Sequence, residues 1–323
     1  MKQAKKFLWL PALAVLLLLP AVVTSRYILL LVDQILVFII AVIGMNFISG
    51  LTGENNLGMA GIFALGAYGT AIATVNFGLP TFVGVLISIA LGVVFGLLIG
   101  YPTLRLKGVY FALTTQVLAE AVRIFLNNAQ GLSNGSNGIR NIPGLTIFGY
   151  TFSSKVSMYY LYLFVCLAVI LFSLRLVNGR WGRELKAIRD NIDGVESCGV
   201  NKSSAKVKAF MLCSVLGCLA GSMYAQVMTF ILPASFNYDL TVKFVMMLML
   251  GGIGSIPGVI IGAIVVVLLP ELLRVLGDYY WLIFSTIMLF VIIFRPYGLI
   301  SIYESLRDKR RARRSPEKGG GEG

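Results

Sequence analysis

A chain of 323 residues that is 58% hydrophobic and 13% charged, with a mean hydropathy of +0.86, lacks the polar surface of a soluble protein and belongs in a membrane. Its net charge of +13 does not mark a nucleic-acid binder, because most of its 27 Lys and Arg cluster between or beyond apolar runs, without interleaved aromatics. The absence of histidine excludes His-based metal sites and Ser-His-Asp chemistry, and Cys166, Cys198, Cys213 and Cys218, with no Cys-x-x-Cys pair, argue against a disulfide framework.

The apolar runs predict an all-α polytopic fold of ten membrane-crossing or membrane-entering helices. They fall near 7–24, 27–48, 57–76, 80–101, 108–127, 156–177, 205–228, 241–253, 256–276 and 279–295. Residues 2–23 have the basic start and apolar run of a secretory signal, but so many following spans favour an uncleaved first helix. The glycine-rich stretch 50–76 and the short run 241–253 are candidates for broken or re-entrant segments, which are tolerated where protein surrounds them. Gly58, Gly61, Gly66 and Gly69, and later Gly251, Gly252, Gly254, Gly258 and Gly262, are small enough to let helices approach closely. The stretch 128–155 is turn-rich, with Asn134-Gly135-Ser136-Asn137-Gly138 and Pro143-Gly144.

Threading ten spans with the N-terminus inside puts four basic clusters in the cytoplasm. These are Lys2, Lys5 and Lys6; Arg105 and Lys107; Arg175 through Lys208; and Arg295 to Lys318. Both termini are then cytoplasmic and the 128–155 loop is external. Residues 301–323 read as a basic, disordered cytoplasmic tail, solvated in its simplest reading, with attraction to anionic lipid headgroups as the alternative.

Six charges fall in or near spans: Asp33, Glu120, Arg123, Lys243, Glu271 and Arg274. A lone charge at mid-bilayer costs roughly 2.5–3.5 kcal/mol on insertion scales, so each needs a partner or water. Glu120 with Arg123, and Glu271 with Arg274, are three apart and able to neutralise each other locally; a proton relay or substrate site is the alternative use. Asp33 is the lone acidic residue that an ion-coupled carrier would need, although it lies near the outer end of its span.

Between the sixth and seventh spans lies a polar island, Gly179 to Lys208. In it Leu185, Ile188, Ile192 and Val195 recur at helical spacing, with Arg183, Glu184, Lys186 and Asp193 on other faces. A short amphipathic helix exposed between membrane spans has something to dock against, either this protein's own spans or a partner. The chain has no Gly-x-x-x-x-Gly-Lys-Ser/Thr, so it cannot hydrolyse a nucleotide by P-loop chemistry itself. A membrane protein without an engine but with a docking helix reads as a pore-forming subunit driven by another protein.

The run Gly182-Arg183-Glu184-Leu185-Lys186-Ala187-Ile188-Arg189-Asp190-Asn191, followed by Gly199-Val200, resembles the cytoplasmic loop of ABC importer permeases of the branched-chain amino acid family, in particular the M-type subunit. Gly108 to Thr115 with Glu120 and Arg123, Leu132 to Ile139, Gly251 to Ser255 with Gly258 and Gly262, Pro270 to Arg274, and Arg295 to Leu299 are similar to further family segments in the same order. Met59, Ser133-Asn134, Ile192-Asp193-Gly194 and Val259 depart from the family's usual residues.

The resemblance implies a permease domain over residues 1–300, with a cytoplasmic coupling helix at about 179–201. It implies a bacterial or archaeal cytoplasmic (inner) membrane location and import of branched-chain amino acids. The expected partners are a second, H-type permease, two ATPase subunits that bind ATP and Mg, and an external solute-binding protein; this chain would bind no cofactor. Leu185, Ile188 and Ile192 would anchor the coupling helix, with Arg183, Glu184, Lys186, Arg189 and Asp190 around them. Thr114, Thr115 and Gln116, on the polar fifth span, are candidates for the translocation path, with helix-to-helix hydrogen bonding as their alternative use. A urea or short-amide importer, and a stand-alone ion-coupled carrier or channel, are the competing functions.

Overall fold

The computed structural model describes Pro20 and residues 25–103, 106, 108–147, 150–151, 155–191, 194–195, 199, 201–274, 279–294 and 298. Its longer helices are α1 (Arg26–Met45), α2 (Met59–Ala71), α3 (Thr81–Thr103), α4 (Val109–Asn128), α5 (Lys155–Asn178), α6 (Arg180–Asp190), α7 (Lys202–Met228), α8 (Tyr238–Gly251), α9 (Ile256–Leu273) and α10 (Tyr280–Phe294). A two-residue hairpin, β1 (Thr146–Ile147) antiparallel to β2 (Tyr150–Thr151), decorates the long loop between α4 and α5.

The predicted runs and the helices coincide to within a few residues wherever the chain is described. Among the described residues, seven helices are long and apolar enough to cross a membrane: 26–50, 59–76, 81–102, 109–128, 156–178, 202–228 and 256–273. The first and second include wider π turns, Asn46–Gly50 and Ile72–Asn76, that extend α1 and α2. α8 and α10 have 14 and 15 residues, about 21–22 Å at 1.5 Å per residue against a hydrocarbon core of about 30 Å. The predicted 7–24 helix and the 301–323 tail lie outside the described residues.

α1 is buried on all sides from Ile35 to Met45, and α2 and α7 are almost as enclosed, so these three form the centre of the bundle. α7 lies against α1, α2 and α3, while α5, α8 and α9 cover the other side of α1. Small residues set these approaches. A Cβ added at Gly66 of α2 would overlap the Cys218 backbone of α7, and one at Gly262 of α9 would overlap the Met247 carbonyl of α8. Phe38, Phe63, Tyr224, Phe236 and Phe244 knit α1, α2, α7 and α8 together, with ring centroids 5.2–6.2 Å apart. Buried hydroxyls are satisfied in a chain: Thr70 bonds Ser88 at 2.7 Å and Ser222 at 2.5 Å, and Ser88 donates to the Gly66 carbonyl at 2.8 Å.

Contacts sort the connections into two ends. At one end, the Arg189 guanidinium of α6 donates to the Gly50 carbonyl at 2.9 Å, and Gly254 N–H donates to Asn46 Oδ1 at 2.9 Å. At the other end, Ile139 and Ile231 form a β-bridge, Asn76 donates to the Leu132 carbonyl at 2.7 Å, and Thr81 donates to the Gly144 carbonyl at 3.0 Å. The turn-rich loop earns its composition here. Asn134, Gly135, Gly138 and Asn141 all have positive φ, and Gly138 packs so closely on the Ile231 carbonyl that a Cβ would overlap it. From this end Pro233–Phe236 folds back among the helices, with Phe236 against Phe63, Tyr68 and Tyr224, before α8 begins. Pro233 and Phe236 of this irregular segment are buried, while Ala234 and Ser235 between them are exposed.

Candidate functional site

α6 begins one residue after α5 ends. The tight corner requires glycine at position 182, where a Cβ would overlap the carbonyl oxygen of Val177 and press on that of Leu176. The next turns then bury Leu185 and Ile188 completely against the bundle, while Trp181 stacks on Phe47 at 5.8 Å. Arg189, expected at the polar rim, is exposed and also reaches back to the Gly50 carbonyl; its aliphatic stem lies beside Gly53, whose φ of +78° suits glycine.

The apolar stripe of the island therefore seats α6 on this protein's own spans. Leu185 and Ile188 are not exposed anchors, and Ile192 lies outside the described residues. The surface left open consists of Arg180, Arg183, Lys186, Ala187, Arg189 and Asp190, with Glu184 half-buried and held by Arg180 at 3.1 Å. Arg183 also donates to the Asn178 carbonyl at 3.3 Å. Val195, just beyond, is buried as well.

Beneath α6 is an ion pair that sequence reasoning missed. Lys206, in the first turns of α7, bonds Glu54 in the α1–α2 connection, and both side chains are at least nine-tenths buried. The first turn of α7 is itself capped by Asn201, which accepts from Ser204 N–H at 3.0 Å. The only signals in the sequence were an acidic residue in an otherwise uncharged Gly-Asn turn and a lysine that composition assigned to the basic cluster.

The three path candidates separate. Thr115 is buried at the α2–α4 contact, where its hydroxyl accepts from Leu57 N–H at 3.1 Å and donates to the Ala112 carbonyl at 2.9 Å. The hydroxyl serves a helix-to-helix contact, the alternative use the sequence left open. Thr114 turns its hydroxyl back onto the Tyr110 carbonyl at 2.8 Å. Gln116 alone shares a flank with Glu120, Arg123 and Asn127, at i, i+4, i+7 and i+11.

Both expected local ion pairs are present. Arg123 grips Glu120 through Nε and Nη2 at 2.5–3.1 Å, and Arg274 lies 3.5 Å from Glu271. Asp33 is buried in α1, close enough to Tyr159 and Tyr162 of α5 to interact electrostatically, and its Oδ1 has no hydrogen-bond partner among the described residues.

These features define a multi-pass membrane protein with a polar helix mounted rigidly on one end of its bundle. Residues 27–293 match the permease component of the branched-chain amino acid transport system, and the chain belongs to that family. It is 31% identical over 319 residues to the high-affinity branched-chain amino acid transport system permease protein LivM of Escherichia coli (strain K12), covering 92% of this chain and 75% of the relative. The probable LivM of Methanocaldococcus jannaschii is 29% identical over 282 residues, covering 80% and 76%. The autoinducer 2 import system permease protein LsrC of Yersinia pseudotuberculosis (serotype O:3, strain YPIII) is 23% identical over 260 residues, covering 76% and 72%. No solved structure matches.

Proposed function

We propose that this chain is the M-type permease subunit of an ABC importer for leucine, isoleucine and valine in a bacterial or archaeal cytoplasmic membrane. The observation that carries the reading is the family match over residues 27–293, which spans the bundle from α1 to α10. A second, H-type permease completes the path, two ATPase subunits bind and hydrolyse ATP, and an external solute-binding protein delivers the amino acid. The end of the bundle carrying α6 faces the cytoplasm, where its basic clusters belong. With the 7–24 run and the two short helices, the chain enters or crosses the membrane ten times.

In this reading α6 is the coupling helix. A push from an ATPase has to be transmitted without being absorbed, and the buried Leu185 and Ile188, the Trp181 stack and the Arg189 bond make α6 stiff against the spans below. Its open face, Arg183, Lys186 and Asp190, is the one an ATPase groove would hold.

The test uses the purified complete complex in liposomes. Loaded binding protein should stimulate ATP hydrolysis and drive leucine uptake, and leucine but not urea should compete. Arg183→Glu with Lys186→Glu should abolish both stimulation and uptake. Full uptake by that double variant would remove the coupling role from this face, and competition by urea would move the cargo to a short-amide class.

A further inference from the structure

Glu120 and Arg123 sit where lipid does not tolerate them. α4 runs from Val109 to Asn128, so at 1.5 Å per residue Glu120 lies about 2 Å, and Arg123 about 7 Å, from the midpoint of the helix. The buried face of α4, Phe111, Ala112, Thr115, Ala119 and Leu126, packs on the bundle. The pair is on the flank beside it, with 45% of the Glu120 side chain and 28% of the Arg123 side chain accessible. The other local pair, Glu271–Arg274, ends α9 beside Tyr27 and can reach headgroups. The α4 pair is too deep for that, so this flank meets water or another polar group.

We propose that this flank lines the translocation path and that the Glu120–Arg123 pair is a recognition site for the zwitterionic end of an aliphatic α-amino acid. The valences allow it. Arg123 commits only Nε–H and one Nη2–H to Glu120, leaving the rest of its five N–H donors for a substrate carboxylate. The Glu120 oxygens keep lone pairs for an α-ammonium group. A neutral cargo would gain from neither charge, and an ion of one sign would be repelled by one of them. Next to the pair, Val117 and Ile124 are exposed aliphatic side chains that match an apolar substrate side chain. Gln116, one turn before Glu120, continues the polar flank.

The inference rests on the functional reading above, so the test keeps the two apart. The complete complex is reconstituted with ATP and loaded binding protein, and Glu120→Gln, Arg123→Gln and the double variant are compared for leucine uptake. Each is first shown to purify as the full assembly. We expect the double variant to lose at least about tenfold in uptake. A purely structural pair behaves otherwise, since removing both charges together cures the orphan charge that either single variant leaves. Recovery of uptake in the double variant therefore overturns the proposal.

In a second arm, Gln116→Cys, in a chain with Cys198 replaced, should react with a charged, membrane-impermeant thiol reagent during turnover, and loaded binding protein should slow the reaction. Cys166, Cys213 and Cys218 are buried and give little background. No labelling at position 116 overturns the assignment to the path. If the wild-type complex takes up no leucine, the functional reading falls and the substrate proposed here falls with it.

Discussion

Glu54 and Lys206 are 152 residues apart in sequence and meet under α6 with almost no exposure to solvent. Removing one partner strands the other charge in the interior, which typically costs about 3–5 kcal/mol, whereas removing both costs far less. Glu54→Gln or Lys206→Met should therefore lower the thermal midpoint of the purified complex sharply, and the double variant should recover most of the loss. Additive losses in the three variants would mean that the pair is not coupled. Thr115 makes a smaller claim. Thr115→Val leaves Leu57 N–H without an acceptor, a loss of about 1–3 kcal/mol in stability. If Thr115→Val instead lowered leucine uptake without lowering stability, that hydroxyl would belong to the path. The ion pair was not visible in the sequence, and for Thr115 the sequence offered helix-to-helix bonding without choosing it over the path. Composition counts Lys206 with its basic neighbours, and a polar residue on a membrane helix looks the same whether it faces a path or another helix.

α6 shows how far periodicity reaches at the scale of an element. The spacing of Leu185 and Ile188 correctly defined an amphipathic helix in the polar island, because a helix that buries one face must repeat at three and four residues. It did not say what covers that face, and the structure assigns both residues to the protein's own bundle. Nor did it say that Arg183 and Arg189, both exposed, would bond different backbone carbonyls, one in the adjoining Asn178 and one in the distant Gly50. The corner at Gly182 makes the mounting testable. Gly182→Ala places a methyl group into the Val177 and Leu176 carbonyls, so α6 must shift on α5. With an assembled complex, stimulation of ATP hydrolysis by loaded binding protein should fall by at least about tenfold. Unchanged stimulation would show that the position of α6 on the bundle does not matter for coupling.

At the scale of the whole molecule, the spans were legible because lipid imposes one rule along every segment: an uninterrupted apolar run of sufficient length. Pairing was not legible, because Gly66 against Cys218 and Gly262 against Met247 are contacts between faces that look alike in sequence. What the contacts add is a sorting of loops. Gly50, Asn46, Gly254 and α6 share one end, while Phe77, the 129–145 loop, Ile231 and the start of α1 share the other. Orientation then becomes a single binary question. If positive charge decides it, the α6 end is cytoplasmic. Lys186→Cys and Phe77→Cys, both at exposed positions and both in a chain with Cys198 replaced, test it on intact spheroplasts with an impermeant maleimide. Phe77→Cys should label at once, and Lys186→Cys only after the membrane is opened. Because the contacts tie the loops of each end together, the reverse pattern would invert every loop at once and put α6 out of reach of any cytoplasmic ATPase.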